Sequence, residues 1–265
     1  MVAIERSGGR VEYADEFDEF GGHAGPSLGR RPPGPWCLRK LLGDEFFRNV
    51  VTAVVKSDGD FAYLKRFDQL KEVRCARGVT EAGLERLKEV PQLRCLGIGG
   101  HRVRGPKMRI ITALPNLEEL DLSYTDVGDA ELEQLKTLTH LHTLYLLNTR
   151  ITDAGMRHLE AISSLEALLL WRTRVGDAGV EHLKRLTHLK ELDLIQTRIT
   201  DAALEQLAGM RQLEDLDLRF THISQEGFRK IKRALPGCNV HFVPIIDPRA
   251  RDLSSEGIYY DPDLE

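Results

Sequence analysis

A 24-residue period is the feature that most constrains what this 265-residue chain can fold into. Three leucine columns recur with that spacing over five copies, and a threonine column and a β-branched column follow them in register. The second and third columns begin at Leu120 and Leu122, and the leading column contains Leu117, Leu141, Leu165, Leu189 and Leu213. Such fixed-period self-similarity predicts a repeat architecture in which each unit packs on its neighbours.

Each copy combines two periodicities. The LxxLxL stretch alternates, which places its second and third leucines on one face of a short strand. Later apolar residues such as Leu132, Leu135 and Leu138 recur every three residues, as on one side of a helix. The pattern predicts an α/β fold: a curved solenoid with parallel strands on the concave face and helices on the convex face.

The junction between strand and helix carries a helix-start signal. One column holds residues suited to an N-cap, namely Thr80, Gly128, Thr152, Gly176, Thr200 and Ser224. The next column is acidic in most copies, as at Asp129 and Asp153. We interpret these acids as structural rather than catalytic, because they would face the positive end of the helix dipole.

The array extends beyond the five regular copies. Residues 70–75 and 93–98 make two further copies, residues 50–64 make a shortened first unit, and a last strand is predicted over 239–243. We therefore predict about seven repeats over residues 50–246. Residues 37–49 are predicted to form an amphipathic helix that caps the N-terminal end of the array. The remaining segments, 1–36 and 247–265, are interpreted as a partly flexible leader and an acidic, poorly ordered tail.

The unit LxxLxLxxTxITDxGLxxLxxL, best represented by residues 141–159 (LHTLYLLNTRITDAGMRHL), resembles the leucine-rich-repeat superfamily, specifically its cysteine-containing type. The first fifty residues, with AIERSGGRVEY and PPGPWCLRKLLGDEFF, are similar to uncharacterised planctomycete-type bacterial members, in which a membrane anchor often precedes this segment. The resemblance implies a non-catalytic module that binds a protein, or by analogy with F-box-associated repeats a substrate-recognition subunit. Glu131 and Ala203 replace the glycine found at Gly155 and Gly179, so the helix spacing in those copies stays open.

Composition narrows the functional classes. The net charge of −4 lies mostly in the C-terminal tail, and the repeats lack the concentrated basic face that nucleic-acid binding needs. Cys37, Cys75, Cys95 and Cys238 form no CxxC motif, which favours reduced thiols and a cytoplasmic protein. No apolar run reaches the ~18 residues of a membrane span, and no signal peptide is evident. We expect a monomer without metal or cofactor, and not an enzyme, because no histidine cluster or catalytic motif converges.

Residues between and after the strand leucines define the predicted binding surface. Tyr145, Leu147, Leu169, Trp171 and Ile195 are predicted to be neighbours on the concave face. An exposed apolar patch with polar edges is typical of a protein-binding site, and Trp and Tyr dominate interface energetics. We predict that the site also includes Arg172, Asp193, Asp217, Arg219 and Phe220. The alternatives are that the leader or the tail covers the patch, or that the chain is a structural element that assembles through an open end.

For each of two basic features of the sequence, two interpretations stay open. Arg150, Arg174 and Arg198 follow the threonine column in successive copies, and they either contact an anionic partner or form a solvated ridge. The irregular copy 91–116 is basic and glycine-rich. It is either an anion site, although it lacks the P-loop motif, or a decayed repeat that bends the array.

Overall fold

In the computed structural model, the described residues are 3–6 and 50–245. They form a single ten-stranded sheet whose strands lie in chain order. Strands β2 to β10 are parallel, and β1 pairs antiparallel with β2. The strands are β1 Ala3–Arg6, β2 Val50–Val55, β3 Glu72–Cys75, β4 Cys95–Gly97, β5 Glu119–Asp121, β6 Thr143–Tyr145, β7 Ala167–Leu169, β8 Glu191–Asp193, β9 Asp215–Asp217 and β10 Asn239–His241.

A helix connects each parallel strand to the next, which is the crossover that parallel pairing requires. The helices are α1 Phe61–Leu64, α2 Glu81–Glu85, α3 Pro106–Thr112, α4 Asp129–Gln134, α5 Asp153–Leu159, α6 Asp177–Leu183, α7 Leu204–Gly209 and α8 Gln225–Ala234. Short 3-10 turns cover Asp58–Asp60, Arg86–Glu89, Leu135–Thr137 and Asp201–Ala203. The predicted α/β solenoid is confirmed, and the leucine-column copies correspond to the units that begin at β3 to β9.

The repeated apolar columns form one continuous core. Leu120, Leu144 and Leu168 lie in register on adjacent strands, and none of the three side chains is exposed. The threonine column is buried beside them, and its hydroxyl groups donate to the carbonyl of the third strand leucine, for example from Thr149 to Leu146 at 2.7 Å. Because a buried hydroxyl without an acceptor is costly, this bond explains how a threonine fits the interior.

The acidic column after each N-cap joins one copy to the next. The two oxygens of the Asp129 carboxylate accept from the backbone N–H and the hydroxyl of Thr152, at 2.8 and 2.7 Å. The same pairing links Asp177 to Thr200 and Asp201 to Ser224. The structural role of these acids is thus mainly hydrogen bonding between repeats, in addition to the predicted interaction with the helix dipole.

The ladder of aspartates also explains the glycine column. A Cβ atom on Gly155 would lie 2.4 Å from the Asp129 Oδ1 atom, and one on Gly227 would lie 2.2 Å from Asp201 Oδ1. Where Ala203 replaces the glycine, the helix begins with the 3-10 turn Asp201–Ala203 instead of an α-turn. The question of helix spacing in that copy is therefore answered by a local change of helix type.

The two ends of the array differ in how completely they are described. Strand β1 lies along the outer edge of β2, so residues 3–6 pair with an edge that would otherwise be open. The predicted capping helix 37–49 and the tail 247–265 lie outside the described residues, as does most of the leader. Irregular copy 91–116 is a genuine unit made of β4 and α3, and Pro106 is the first residue of its helix, a position that suits proline. Within the described ranges, every helix is too short or too polar to cross a membrane.

Candidate functional site

Three rows of side chains follow the strands on the face opposite the leucine core. In the first row, Asp121, Tyr145, Leu169, Asp193 and Asp217 are register partners on β5 to β9. The second row, two residues later, contains Ser123, Leu147, Trp171, Ile195 and Arg219. The third row, one residue further on, contains Tyr124, Asn148, Arg172, Gln196 and Phe220. The structure therefore brings all ten predicted site residues together on β6 to β9 and the turns that follow.

The apolar patch consists of Tyr145, Leu147, Leu169, Trp171 and Ile195. Each of these side chains is half-buried, whereas the sequence predicted an exposed patch. Strands ~4.8 Å apart bring neighbouring side chains into lateral contact, and this contact removes part of each from water. The patch is consequently a preformed apolar strip across β6, β7 and β8 with a reduced solvent-exposed area.

Tyr124 extends this strip and was not among the predicted site residues. Its side chain is 42% exposed, which makes it one of the most exposed large apolar groups among the described residues. Its ring centroid lies 6.3 Å from that of Trp171, with the ring planes at 81°. This edge-to-face geometry is favourable for aromatic pairs. Membership of the same repeat column as Arg172 was the signal that could have identified Tyr124.

Trp171 is held in one orientation by polar contacts. Its indole Nε1–H donates to the Gln196 side-chain oxygen at 2.8 Å. The Arg172 guanidinium carbon lies 5.8 Å from the ring centroid, within the range of a cation–π contact. A bound partner would not have to order this side chain, so less conformational entropy is lost on association.

The third row adopts an unusual backbone conformation. Tyr124, Asn148, Arg172, Gln196 and Phe220 all have positive φ angles, between 50° and 58°, and Gly100 takes the same position in the irregular copy with φ 76°. The left-handed region costs a non-glycine residue about 1–2 kcal/mol. In return, each N–H reaches the carbonyl of the next copy, as from Asn148 to Trp171 at 2.7 Å. The turn directs the chain off the sheet immediately after the patch.

Asp217 and Arg219 form an internal ion pair at one end of the patch. The Arg219 Nε and Nη2 atoms donate to the two Asp217 carboxylate oxygens at 2.6–3.0 Å, and Asp217 is only 8% exposed. Hydrogen bonding to Asp217 raises the pKa of Arg219. Both residues were predicted to contact a partner, and the structure shows that each already has a charged ligand in the other.

Asp193 is the titrating group of the patch. Burial raises the pKa of its carboxyl to about 6, and the nearby charge of Asp217 adds to the increase. Its Oδ1 atom accepts a hydrogen bond from the Ile195 backbone N–H at 2.7 Å, which opposes the change. Since the folded pKa exceeds the ordinary value of 3.8 for an aspartate, the folded protein holds this proton more tightly than the unfolded chain does.

We therefore expect Asp193→Asn to stabilise the protein at neutral pH. The carboxyl stabilises the fold below pH ~4, and this contribution is lost as the pH rises to about 6. The change in pKa sets a ceiling of about 3 kcal/mol, which partial exposure reduces to roughly 1–2 kcal/mol. Urea unfolding of both proteins between pH 4 and 8 measures the difference. Curves that stay parallel over this range would show that Asp193 has no such role.

Charges of opposite sign flank the patch. At the start of the strands, an acidic margin contains Glu72, Glu119, Glu191 and Asp215. Burial and the neighbouring charge of Glu72 raise the pKa of Glu119. Beyond the third row, the exposed Arg150, Arg174 and Arg198 form an arginine ridge on successive copies. Within the described part of the chain, none of these three arginines has an ion-pair partner, whereas Arg104 pairs with Asp126 at 3.0 Å.

Other candidate sites have less support. In the irregular copy, the His101 ring bonds the Cys75 carbonyl at 3.2 Å and Lys107 donates to the Val79 carbonyl, so these groups serve the fold. A polar groove of about 410 Å³ lies at the helix-to-strand loops and includes Lys71, Arg94 and Glu118. Among residues 3–6 and 50–245, no three His, Cys, Asp or Glu side chains are grouped as metal ligands.

Comparisons with known proteins agree with this architecture. One family model for the leucine-rich repeat matches residues 163–223, and a second matches residues 113–130. Internalin C2 from Listeria monocytogenes superposes with a TM-score of 0.58 at 21% identity, over 76% of this chain and 84% of its own. An internalin designated inlF from the same organism gives 0.49 at 16% identity, over 69% and 56%. No curated protein matches the sequence.

The repeat pattern, the fold and the two family-model matches show that this chain contains leucine-rich repeats. The resemblance to solved internalin structures is one of fold, because the identity is low. The narrower resemblance to the cysteine-containing type and to planctomycete-type proteins stays a prediction.

Proposed function

We propose that this protein is a non-catalytic interaction module that binds a protein partner on its concave face. The observation that carries the proposal is the apolar patch on three adjacent strands. The solenoid core does not require apolar residues there, since the same second row accommodates Ser123 and Arg219. An apolar surface that the fold does not need, with Trp and Tyr at its centre, is typical of an interface.

The pre-ordered Trp171 is the proposed anchor. Its indole is held by Gln196, and Tyr124 and Arg172 lie beside the ring. Hot spots of binding energy are enriched in Trp, Tyr and Arg and are surrounded by contacts that exclude water. Leu147, Leu169 and Ile195 supply such surroundings. Phe220 and the Asp217–Arg219 pair are proposed to border the interface.

The thiols support a proposed cytoplasmic location. Cys75, Cys95 and Cys238 are free, and burial raises the pKa of Cys75 to about 12 and that of Cys95 to about 11. Thiols with a high pKa are poorly reactive, as expected of structural cysteines in a reducing compartment. We propose a monomer that needs neither metal nor cofactor and acts through its partner.

The double variant Leu147→Glu/Trp171→Glu tests the binding surface. It is expected to fold, because both positions belong to a row that already carries Ser123 and Arg219, and to lose partner affinity by at least about 100-fold, since interface hot spots contribute 2 kcal/mol or more each. Affinity capture from lysate of the source organism, followed by a dissociation constant for the captured protein, measures the loss.

Ala154→Glu/Ala178→Glu is the matched control. It adds the same charge to exposed positions on α5 and α6 of the same two copies. The control variant should bind as the wild type does, and circular dichroism should show that both variants are folded. Equal affinity of the wild type and the patch variant would refute the proposed surface.

A further inference from the structure

Aspartates of the first row satisfy backbone donors of the second row. The Oδ1 atom of Asp121 accepts from the Ser123 N–H at 2.8 Å, Asp193 from Ile195 at 2.7 Å, and Asp217 from Arg219 at 3.0 Å. In each of these three copies, the acceptor belongs to the residue two positions before the donor. This bond provides an acceptor for a backbone N–H just after the strand, where the hydrogen bonds between strands do not provide one.

Two adjacent copies lack this acceptor. Tyr145 and Leu169 occupy the first-row positions before Leu147 and Trp171. Leucine has no acceptor atom, and the tyrosine hydroxyl lies at the far end of its ring, away from the backbone that an aspartate oxygen reaches. Among the hydrogen bonds of residues 50–245, the N–H groups of Leu147 and Trp171 have no acceptor, although their neighbours Leu146 and Asn148 donate to the next copy. These two donors follow strands β6 and β7 in adjacent copies, at the centre of the apolar patch.

The surrounding charge favours an anionic acceptor. Arg172 follows Trp171 directly, and the arginine ridge of Arg150, Arg174 and Arg198 runs along the same edge of the sheet. Three like charges on successive strands repel one another unless an anion lies alongside. A hydrogen bond from a backbone N–H to a carboxylate is also stronger than one to a neutral oxygen.

Building on the proposed function, we infer that a side-chain carboxylate of the partner binds the N–H groups of Leu147 and Trp171. The partner carboxylate takes the place that Asp121, Asp193 and Asp217 hold in the neighbouring copies. The recognised segment is thus an aspartate or glutamate flanked by apolar residues, which contact the patch while the acid faces the arginine ridge. The two N–H groups and the arginine ridge would make binding specific for a negative charge, while the apolar patch would supply most of the affinity.

NMR on the uniformly ¹⁵N-labelled full chain tests this inference with a defined probe. The probe is the capped peptide acetyl-Leu-Asp-Leu-amide, and acetyl-Leu-Asn-Leu-amide is the neutral control. The Asp peptide should shift the amide protons of Leu147 and Trp171 downfield, whereas those of Ile195 and Arg219, which already have acceptors, should not move. In Leu169→Asp the Trp171 amide should start downfield and no longer respond, while Leu147 still responds.

Each other outcome has a defined meaning. In the free protein, hydrogen exchange at Leu147 and Trp171 should be faster than at Ile195; equal protection would mean that an acceptor within the chain fills the site, and it would overturn the inference. Equal shifts from the Asp and Asn peptides would overturn the carboxylate preference and leave the apolar surface intact. The absence of an amide shift with either peptide would also overturn the inference. The capture experiment with the patch variant and its control tests the binding surface separately.

Discussion

Gly179→Ala is expected to destabilise the protein by about 2–4 kcal/mol, although alanine is normally the better helix former. A Cβ atom at this position would lie 2.6 Å from Asp153 Oδ1, 2.9 Å from Val175 Cγ1 and 3.0 Å from Met156 Cγ. The Asp153 oxygen cannot simply move, because it accepts the Gly176 N–H at 2.5 Å. Overpacking costs about 1–3 kcal/mol and a weakened, partly buried hydrogen bond about 1–3 kcal/mol, against about 1 kcal/mol of helix propensity.

Chemical denaturation measures this change, and Gly209→Ala is the control. Gly209 is the last residue of α7, and a Cβ there would meet nothing within 4 Å. Its substitution should leave the unfolding free energy unchanged or raise it slightly. In an Asp153→Ala background, Gly179→Ala should cost at least about 1 kcal/mol less, because the clashing carboxylate is gone. A stabilising effect of Gly179→Ala alone would contradict the inter-repeat contact.

Leu168→Ala is expected to cost about 3–5 kcal/mol. The side chain is fully buried on β7 and lies in register between Leu144 and Leu192 on the adjacent strands. Truncation removes its transfer free energy and leaves a cavity in a core that cannot close around it. In a solenoid each unit is stabilised by its two interfaces, so a defect in a central copy weakens both.

Thermal and urea unfolding measure the loss, with Ala167→Thr as the neighbouring control. Ala167 lies on the opposite face of the same strand, between Thr143 and Glu191 in register. A threonine there should change stability by no more than about 0.5 kcal/mol. If the two substitutions had similar effects, the leucine column would not form the common core.

The repeat columns were sufficient to predict the fold and the membership of the concave face. Every leucine column maps to a buried position, because the 24-residue period fixes both the strand register and the helix face. The ten predicted site residues lie on one surface for the same reason. The threonine column was also predictable, since a hydroxyl at that turn needs a backbone acceptor.

Features that depend on contacts between copies were not predictable. The bonds from Asp129 to Thr152 and from Asp177 to Thr200 require the rotation of one unit on the next, which a single unit does not reveal. Strand β1 has no repeat signal, because it belongs to no copy. The left-handed conformation of the third row could not be read from its residue types. Bulky residues such as Tyr124 seldom adopt a positive φ angle without tertiary constraints.

The site itself shows the same limit. Whether Asp217 and Arg219 bind each other or a partner depends on side-chain packing along one strand. The half-burial of the patch likewise follows from lateral packing across β6 to β8. The open N–H groups of Leu147 and Trp171 become evident only when the aspartate bonds of the neighbouring copies are seen beside them.

Photo-crosslinking from the concave face tests the central claim most directly. A benzophenone amino acid replaces Asn148, where the row already accommodates Tyr124 and Phe220 in the same backbone conformation, or replaces Arg157, which is exposed on α5 of the same copy. In lysate of the source organism, position 148 should yield a discrete adduct that unlabelled wild type prevents and the Leu147→Glu/Trp171→Glu variant does not. Adducts from position 157 but not 148, or equal competition by the variant, would contradict binding at the patch.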